Sequence, residues 1–282
     1  MKLPKVRTLL ALGLGLSVLL YVAYGTVVFS IQRSILYVVQ PPESPLPAVP
    51  RWIEADGAKV EARWSPALDS NGQVDSNALV GIFLHGNKET IDDWPLSIAD
   101  WNRRGVSVLR VELPGYGHST GAPPTQDRIR AVMEKAFDEL VAQGIPPARI
   151  FAAGRSLGGG IACDLSTTRP LGGLLLQSTF HSVRDRGSKE YYLPGFLVRD
   201  GFENTVALAK FEYPILLIHG TADKRIPFED MAKLQEVAPH AKAVVFPGYD
   251  HSDIPGRDTT LYWNGVEQFL TDMREKGGRR GL

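Results

Sequence analysis

Short apolar runs alternate with helix-length amphipathic stretches through most of the chain. The apolar runs are 80–84, 106–111, 150–153, 171–176, 215–218 and 243–246. The amphipathic stretches are 90–103, 125–143, 161–168, 228–237 and 259–275. Strands that are apolar throughout are buried on both sides, and the intervening helices cover them. The pattern therefore predicts an α/β fold with a mostly parallel central sheet and helices on both faces.

Two segments depart from this alternation. Residues 51–64 alternate between apolar and polar around Asp56 and Gly57, which predicts an antiparallel hairpin at the leading edge of the sheet. Residues 181–210 form a connection longer than the roughly 15 residues that a compact domain usually tolerates. We interpret residues 181–210 as a small cap over the strand ends.

The cap contains an aromatic and apolar patch at residues 191–198. Its candidate pocket residues are Tyr191, Tyr192, Phe196 and Leu197. These side chains either form the cap's own small core, or line an acyl-chain pocket or rest on a bilayer.

Residues 8–31 contain no charged side chain and, at about 36 Å as a helix, are long enough to span a bilayer. Lys2, Lys5 and Arg7 precede this segment, whereas Arg33 is the only close positive residue behind it. The positive-inside rule then predicts a transmembrane signal-anchor with a cytoplasmic N-terminus and an extracytoplasmic domain, periplasmic in a bacterium. A cleaved signal peptide is the alternative, and it delivers the domain to the same compartment.

The remaining boundaries follow from composition. Residues 1–7 form the cytoplasmic N-terminus, and residues 32–50, which carry five prolines, predict an extended linker. The alternating strands and helices, which we interpret as the folded domain, occupy 51–276, and 277–282 is predicted to be a flexible tail.

Overall charge and cysteine content exclude several classes of protein. Lys+Arg and Asp+Glu are equal at 31 each, which gives no indication of a nucleic-acid partner. Cys163 is the only cysteine, so neither an intramolecular disulfide nor a cysteine metal cluster is possible. No histidine pair has metal-ligand spacing with a carboxylate partner, and we predict no metal or other cofactor. The oligomeric state stays open.

The strongest candidate chemistry is a G-x-S-x-G pattern at 154–158, between an apolar run and an amphipathic stretch. A serine at a sharp strand-to-helix turn is held in a strained conformation, and small residues at Gly154 and Gly158 prevent collisions with neighbouring backbone. Ser156 is therefore a candidate nucleophile, and the backbone N–H of Leu157 is a candidate donor to an oxyanion. A glycine-rich turn with an incidental serine is the alternative.

A serine hydroxyl needs a base and a group that orients the base. Asp223 follows the run at 215–218 and His251 follows the run at 243–246, so both lie where parallel strands end. The order Ser156, Asp223, His251 is that of an α/β-hydrolase triad. Asp250 and Asp253 are weaker candidates for the acid. Histidines 85 and 219 precede glycine at strand ends and are interpreted as structural loop residues.

The second oxyanion donor is predicted in the loop after the run at 80–84. His85-Gly86-Asn87 follows that run, and glycine allows the backbone to approach a substrate. The backbone N–H of Asn87 is the candidate donor, and a tight turn without function is the alternative.

Taken together, these residues resemble the α/β-hydrolase superfamily from about residue 33 to 270. The resemblance rests on the segments QRSILY at 32–37, LHGN at 84–87, LPGYGHS at 113–119, GRSLGG at 154–159, HGTAD at 219–223 with IP at 226–227, and GYDH at 248–251. The chain is most similar to the single-pass membrane-anchored branch, whose eukaryotic relatives include protein depalmitoylases. The resemblance implies that Ser156, Asp223 and His251 are nucleophile, acid and base, with Leu157 and Asn87 at the oxyanion.

Two departures from the family pattern concern the surroundings of the triad. Relatives often carry Asp-Tyr-Arg-Gly-Tyr-Gly where this chain has ELPGYG at 112–117, and a small residue where it has Lys88. These changes affect the shape and charge of the substrate entrance.

The sequence thus predicts a membrane-anchored serine hydrolase that cleaves carboxylic ester or thioester bonds of an acyl or lipid-like substrate. A serine peptidase of the same fold is the second hypothesis, since fold and triad support both. A non-catalytic protein that binds a partner through the cap is the third.

Overall fold

The computed structural model describes residues 6–94, 96–256 and 258–278, with side chains to 276. Its strands are β1 (Arg51–Ala55), β2 (Ala58–Ser65), β3 (Leu79–Leu84), β4 (Val106–Val111), β5 (Thr120–Gly121), β6 (Ile150–Arg155), β7 (Gly173–Gln177), β8 (Ile215–Gly220) and β9 (Lys242–Phe246). Its helices are α1 (Val6–Leu36), α2 (Ile98–Asn102), α3 (Gln126–Ala142), α4 (Leu157–Ser166), α5 (Val183–Tyr191), α6 (Asn204–Leu208), α7 (Phe228–Val237) and α8 (Thr259–Gly278). Short 3₁₀ turns occur at Pro147–Arg149 and Gly195–Leu197.

The strands form one mixed sheet in the order β1-β2-β4-β3-β6-β7-β8-β9, with β5 paired to β2. β1 pairs antiparallel with β2, as the alternation at 51–64 predicted, and β2 pairs antiparallel with β4. From β4 to β9 every neighbouring pair is parallel. The C-terminal ends of β3, β6, β7, β8 and β9 therefore meet at one edge, which confirms the predicted architecture.

Both faces of the sheet are covered by helices. Along β3, Val80, Ile82 and Leu84 pack with α3 and α4, whereas Leu79 and Phe83 pack on the opposite side with α2 and α8. The alternation follows from the twofold repeat of side chains along a strand. Because both faces of β3 are buried, its sequence is apolar along its whole length.

The predicted helix at 90–103 was wrong over its first half, since α2 begins only at Ile98. Thr90 instead starts a turn in which its backbone N–H donates to the Asp93 carboxylate at 2.6 Å. Short polar side chains that accept from nearby backbone N–H groups compete with helix formation. The apolar spacing of this stretch did not reveal that competition.

The cap lies between β7 and β8 and contains α5, the turn at Gly195–Leu197 and α6. Ser182 caps α5, because its hydroxyl accepts from the backbone N–H of Asp185 at 3.0 Å. His181, at the start of the cap, binds the Asp230 carboxylate of α7 through its backbone N–H at 2.9 Å. The insertion predicted from the length of this connection is thus a helical segment tied to the domain below it.

α1 continues to Leu36, five residues beyond the predicted apolar span, and is long and apolar enough to cross a membrane. Residues 32–36 of the predicted linker therefore belong to α1, and the residues that follow are attached to the folded domain. Tyr37 is buried in the main core, and the carbonyl of Gln40 accepts from the backbone N–H of Gly117 at 2.9 Å. The burial of Tyr37 and the backbone hydrogen bond to Gln40 hold residues 37–40 against the folded domain. Residues 1–5 of the predicted N-terminus and 279–282 of the predicted tail lie outside the described residues.

Candidate active site

Ser156 stands between the end of β6 and the start of α4 with φ 52° and ψ −115°. Positive φ is rare for a residue with a Cβ and costs about 1–3 kcal/mol. Three hydrogen bonds hold it: its N–H donates to Gln177 O at 2.9 Å, and its carbonyl accepts from Gly159 N at 3.1 Å and Thr179 Oγ1 at 2.8 Å. The strained turn predicted from the glycine spacing is present.

The two flanking glycines are required by close backbone packing. A Cβ on Gly154 would lie 2.1 Å from the carbonyl oxygen of Gly158, and a Cβ on Gly158 would lie 2.0 Å from that of Leu84. Both distances are far below van der Waals contact, and the obstructing atoms are backbone atoms. Only glycine fits at either position.

The Asp223 carboxylate holds the imidazole of His251. Nδ1 of His251 lies 2.7 Å from Oδ2 of Asp223, and both side chains are buried. A carboxylate only accepts hydrogen bonds, so Nδ1 of the neutral ring carries the proton and Nε2 keeps its lone pair. The arrangement leaves Nε2 with the electron pair that a general base needs.

Asp223 is kept ionised by its surroundings. Burial alone would raise its pKa, but hydrogen bonds from His219, His251 and the backbone N–H of Ile226 outweigh burial and lower the pKa below its ordinary value. The other oxygen, Oδ1, accepts from the N–H groups of Arg225 at 2.9 Å and Ile226 at 2.8 Å. The carboxylate is thus fixed in place by its own loop.

Substitution Asp223→Asn is expected to remove a contribution to stability that depends on pH. Because the folded-state pKa is depressed, the contribution is complete above the unfolded-state value of about 3.9 and is lost as pH falls below it. Urea unfolding should therefore show a larger difference in free energy of unfolding between wild type and Asp223→Asn at pH 7 than at pH 3. An equal difference at both pH values would contradict the depressed pKa.

The two alternative acids do not touch the imidazole of His251. Asp250 Oδ1 accepts from the backbone N–H groups of His251 at 2.7 Å and Lys224 at 2.9 Å, so it links the two loops. Asp253 Oδ2 accepts from the backbone N–H of Asp250 at 2.9 Å. The geometry selects Asp223 as the residue that orients the ring.

Gln177 connects the serine turn to the loop that carries His251. Its backbone oxygen binds Ser156 N–H, and its side-chain Nε2 donates to Ile254 O at 3.4 Å. Within the described residues, neither the Ser156 hydroxyl nor Nε2 of His251 has a hydrogen-bond partner. The structure brings the serine turn and the loop of His251 to the same edge of the sheet, without a direct hydrogen bond between the two side chains.

The loop of residues 85–89 passes beside the serine. A Cβ on Gly86 would lie 3.2 Å from Cβ of Ser156. The side-chain oxygen of Asn87 accepts from Val38 N at 2.8 Å, Lys88 N at 3.0 Å and Tyr116 Oη at 3.2 Å. These three hydrogen bonds tie the loop of residues 85–89 to Val38 and Tyr116 beside the serine.

Two side-chain pairs that support this loop, one partly buried and one buried, were not found from the sequence. Arg155 pairs with Glu89, whose Oε2 also accepts from Gly86 N at 2.6 Å. His85 pairs with Glu112, which confirms that His85 is a structural residue of its loop. Arg155 lies inside the G-x-S-x-G pattern, but nothing in the sequence indicated that residue 89 would be its partner.

A cavity of about 340 Å³ opens at the serine, within the usual range for ligand pockets of roughly 300–1,000 Å³. Ser156, Leu157 and Asn87 line it from the domain side. Cap residues form the opposite wall: Val183, Arg186, Gly187, Glu190, Tyr191, Leu193, Leu197 and Val198. The predicted oxyanion donors and the predicted nucleophile therefore share one pocket.

The four cap candidates separate into two pairs. Tyr191 and Leu197 line the cavity. Tyr192 and Phe196 do not line it, and they are 81% and 80% exposed at the surface of the cap. Of the alternatives for this patch, the cavity wall therefore fits only Tyr191 and Leu197; Tyr192, at φ 50°, ends α5 in a left-handed conformation.

This is the α/β-hydrolase fold, with a strained serine turn and a paired aspartate and histidine at the strand ends, and comparison with known proteins agrees. A family model described as serine aminopeptidase, S33, matches residues 75–198. Est1E from Butyrivibrio proteoclasticus, a solved structure with ferulic acid bound, has a TM-score of 0.67 at 19% identity, covering 79% of this chain and 99% of that one.

Among curated proteins, an uncharacterised protein of Mycobacterium tuberculosis is 33% identical over 177 residues, covering 61% of this chain and 63% of the relative. The α/β hydrolase domain-containing protein WAV2 of Arabidopsis thaliana is 30% identical over 186 residues, covering 58% of this chain and 60% of the relative. The chain thus spans less than two thirds of the length of these relatives. The chain has the α/β-hydrolase fold, and its sequence is similar to that of an α/β hydrolase domain-containing protein.

Proposed function

We propose that this protein is a membrane-anchored serine hydrolase that cleaves carboxylic ester or thioester bonds through an acyl-enzyme on Ser156. The observation that carries the proposal is the 2.7 Å contact between His251 Nδ1 and Asp223 Oδ2, at the same edge of the sheet as the strained serine turn. That contact fixes the tautomer in which Nε2 accepts a proton.

The reaction proceeds in two halves. Nε2 of His251 takes the hydroxyl proton as Oγ of Ser156 attacks the substrate carbonyl carbon, and backbone N–H groups of Leu157 and Asn87 stabilise the oxyanion. The tetrahedral intermediate collapses, the imidazolium gives its proton to the leaving alcohol or thiol, and the acyl group stays on Oγ. Water then loses a proton to Nε2 and attacks the acyl carbon. Collapse of the second intermediate returns the proton to Oγ and releases a carboxylic acid.

Membrane anchoring is supported by the length and composition of α1 and by its contacts with the cap. A signal peptide is removed from the mature protein, whereas α1 continues unbroken to Leu36 and is bound to the cap by its last turns. With Lys2, Lys5 and Arg7 ahead of the helix, the positive-inside rule orients the catalytic domain to the extracytoplasmic side.

A serine peptidase is the second candidate, because the matching family model is described as a serine aminopeptidase. An aminopeptidase needs a carboxylate near the serine to bind the α-ammonium group. Glu190 is an exposed carboxylate among the cavity-lining residues, whereas the buried carboxylate in the same lining, Asp200, is already paired with Arg33. The largely apolar side chains of the remaining lining support the ester or thioester instead.

A substrate profile of the full-length protein in detergent separates the two. We expect kcat/KM for p-nitrophenyl esters and acyl thioesters to exceed that for aminoacyl p-nitroanilides by at least about tenfold, or about 1.4 kcal/mol of transition-state stabilisation. All turnover should disappear in Ser156→Ala. Faster cleavage of the anilides, reduced in Glu190→Gln, would establish the peptidase instead.

A further inference from the structure

One face of α1 forms part of the cavity at Ser156. Val28, Gln32, Ile35 and Leu36 line this cavity, and their spacing of four, three and one residues places them on a single side of the helix. Val28 is 8% exposed, whereas its neighbour Val27 is 57% exposed. On the side that lines the cavity, Val28 is buried and Gln32 and Leu36 are partly buried, whereas Ile35, near the end of the helix, is 40% exposed.

Polar contacts near the end of α1 fix this face against the cap. Gln32 donates from Nε2 to Leu197 O at 3.1 Å and accepts at Oε1 from Arg199 N at 2.8 Å. Arg33 binds Asp200 through two nitrogens, at 2.6 and 3.2 Å. A bidentate pair fixes orientation as well as distance, so the helix is held in one rotation about its axis.

The Asp200 carboxylate also ties this contact to the domain. It is 3% exposed and its Oδ1 accepts from the backbone N–H of Gln126, the first residue of α3, at 2.9 Å. A carboxylate at a helix N-terminus is stabilised by the unpaired N–H groups there. Domain, cap and α1 therefore meet at one buried acid.

Further along α1, toward its N-terminus, contacts with the cap continue. The hydroxyls of Tyr21 and Tyr24 donate to the backbone carbonyls of Tyr192 at 2.7 Å and Tyr191 at 3.0 Å. A Cβ on Gly25 would lie 3.3 Å from Cδ2 of Leu193, so the helix and cap are in close contact between these tyrosines and the cavity.

The length of α1 sets the level of the cavity relative to a bilayer. Its 31 residues span about 46 Å, whereas the hydrocarbon core is about 30 Å thick. If the core begins just after the charged Arg7, about 20 residues of α1 cross it, and Val28 to Leu36 of the cavity wall lie beyond it. The exposed Tyr192 accepts from the Tyr21 hydroxyl, so this part of the cap lies against the membrane-spanning part of α1.

We propose that α1, besides anchoring the protein, is a wall of the substrate pocket and selects a membrane-resident amphiphile with a single acyl chain. The chain lies against Val28, Ile35 and Leu36, with its ester or thioester carbonyl at Ser156. The substrate enters from the adjoining leaflet, because the cavity stands directly above the membrane surface at the foot of the cap. This inference rests on the proposed function for the bond that is cleaved.

The test uses the full-length protein in lipid nanodiscs and a matched pair of neighbouring valines. The measured quantity is the ratio of kcat/KM for a decanoyl ester to that for an acetyl ester. We expect Val28→Trp to lower this ratio at least about tenfold, since single methylenes in a hydrophobic pocket already change selectivity by roughly 10–200-fold. Val28→Ala, which enlarges the pocket, should raise this ratio. Val27→Trp, on the exposed side of α1, should leave the ratio within about twofold of the wild-type value.

If residue 28 is part of the pocket wall, the ratio should shift in opposite directions in Val28→Ala and Val28→Trp, whereas a general loss of structure would not produce opposite shifts. If Val28→Trp does not fold, Val28→Ala alone still tests the inference. Wild-type ratios in both Val28 variants would overturn the inference while leaving the hydrolase intact. If the wild type cleaves no ester or thioester, the proposed function fails instead. Binding of a fluorescent single-chain fatty acid to the same variants then decides the inference: weaker binding in Val28→Trp alone supports it, and equal binding overturns it.

Discussion

Ser156→Ala is expected to abolish labelling of the full-length protein by a fluorophosphonate probe and to lower kcat for ester hydrolysis by roughly 10³ to 10⁶-fold. The reason is that, in the proposed mechanism, only Ser156 forms the acyl-enzyme, and the backbone N–H groups of Leu157 and Asn87 alone would supply only a residual rate. Loss of one triad member in such a unit costs nearly as much as loss of all of them.

Ser166→Ala is the matched control for this experiment. Ser166 is at the opposite end of α4, where its hydroxyl donates to Cys163 O at 2.6 Å, away from the cavity. Labelling and turnover should stay at wild-type levels in this variant. Labelling of Ser156→Ala at wild-type intensity would show that another residue reacts with the probe, and the acyl-enzyme on Ser156 would be disproved.

Gly158→Ala is expected to have the largest effect on stability, lowering the free energy of unfolding by about 3 kcal/mol or more. The added methyl would lie 2.0 Å from Leu84 O and 2.7 Å from His85 O. Both are backbone atoms at the end of a central strand, so relief requires moving β3 or displacing α4 from the sheet. Either movement also disturbs the serine turn.

Gly187→Ala provides the comparison. A Cβ there meets only Cγ2 of Val198 at 3.7 Å, an ordinary contact, and alanine favours the helical backbone of α5 by up to about 1 kcal/mol. Urea unfolding should therefore give a midpoint for Gly187→Ala at or above that of the wild type. A midpoint for Gly158→Ala equal to that of Gly187→Ala would contradict the packing argument.

The strands and the strand-end residues were predicted well because their signals are local. A strand buried on both faces has to be apolar along its whole length, and β4 at Val106–Val111 matches its predicted run. Asp223 and His251 stand directly after such strands, so strand order alone brought them to one edge. The strained turn at Ser156 was predicted for the same kind of reason, since glycine is required two residues before and two after it.

The sequence was less informative where local hydrogen bonds of side chains compete with helix formation, and in the cap after the end of α5. The start of α2 was displaced by the hydrogen bond between Thr90 and Asp93. Tyr192 and Phe196 were candidates for the pocket on composition alone, and both lie at the surface beyond the end of α5. Neither feature changes the spacing of apolar residues, so neither is visible in that spacing.

By itself, the sequence determined an α/β chain with a serine turn, two further strand-end residues and an apolar N-terminal helix. Only the tertiary structure showed that this helix lines the cavity, that Arg33 pairs with Asp200, and that Arg155 pairs with Glu89. These contacts join residues separated by 66 to 167 positions. Their formation depends on how the cap and the sheet edge place distant segments side by side, and local hydrophobic periodicity carries no information about that placement.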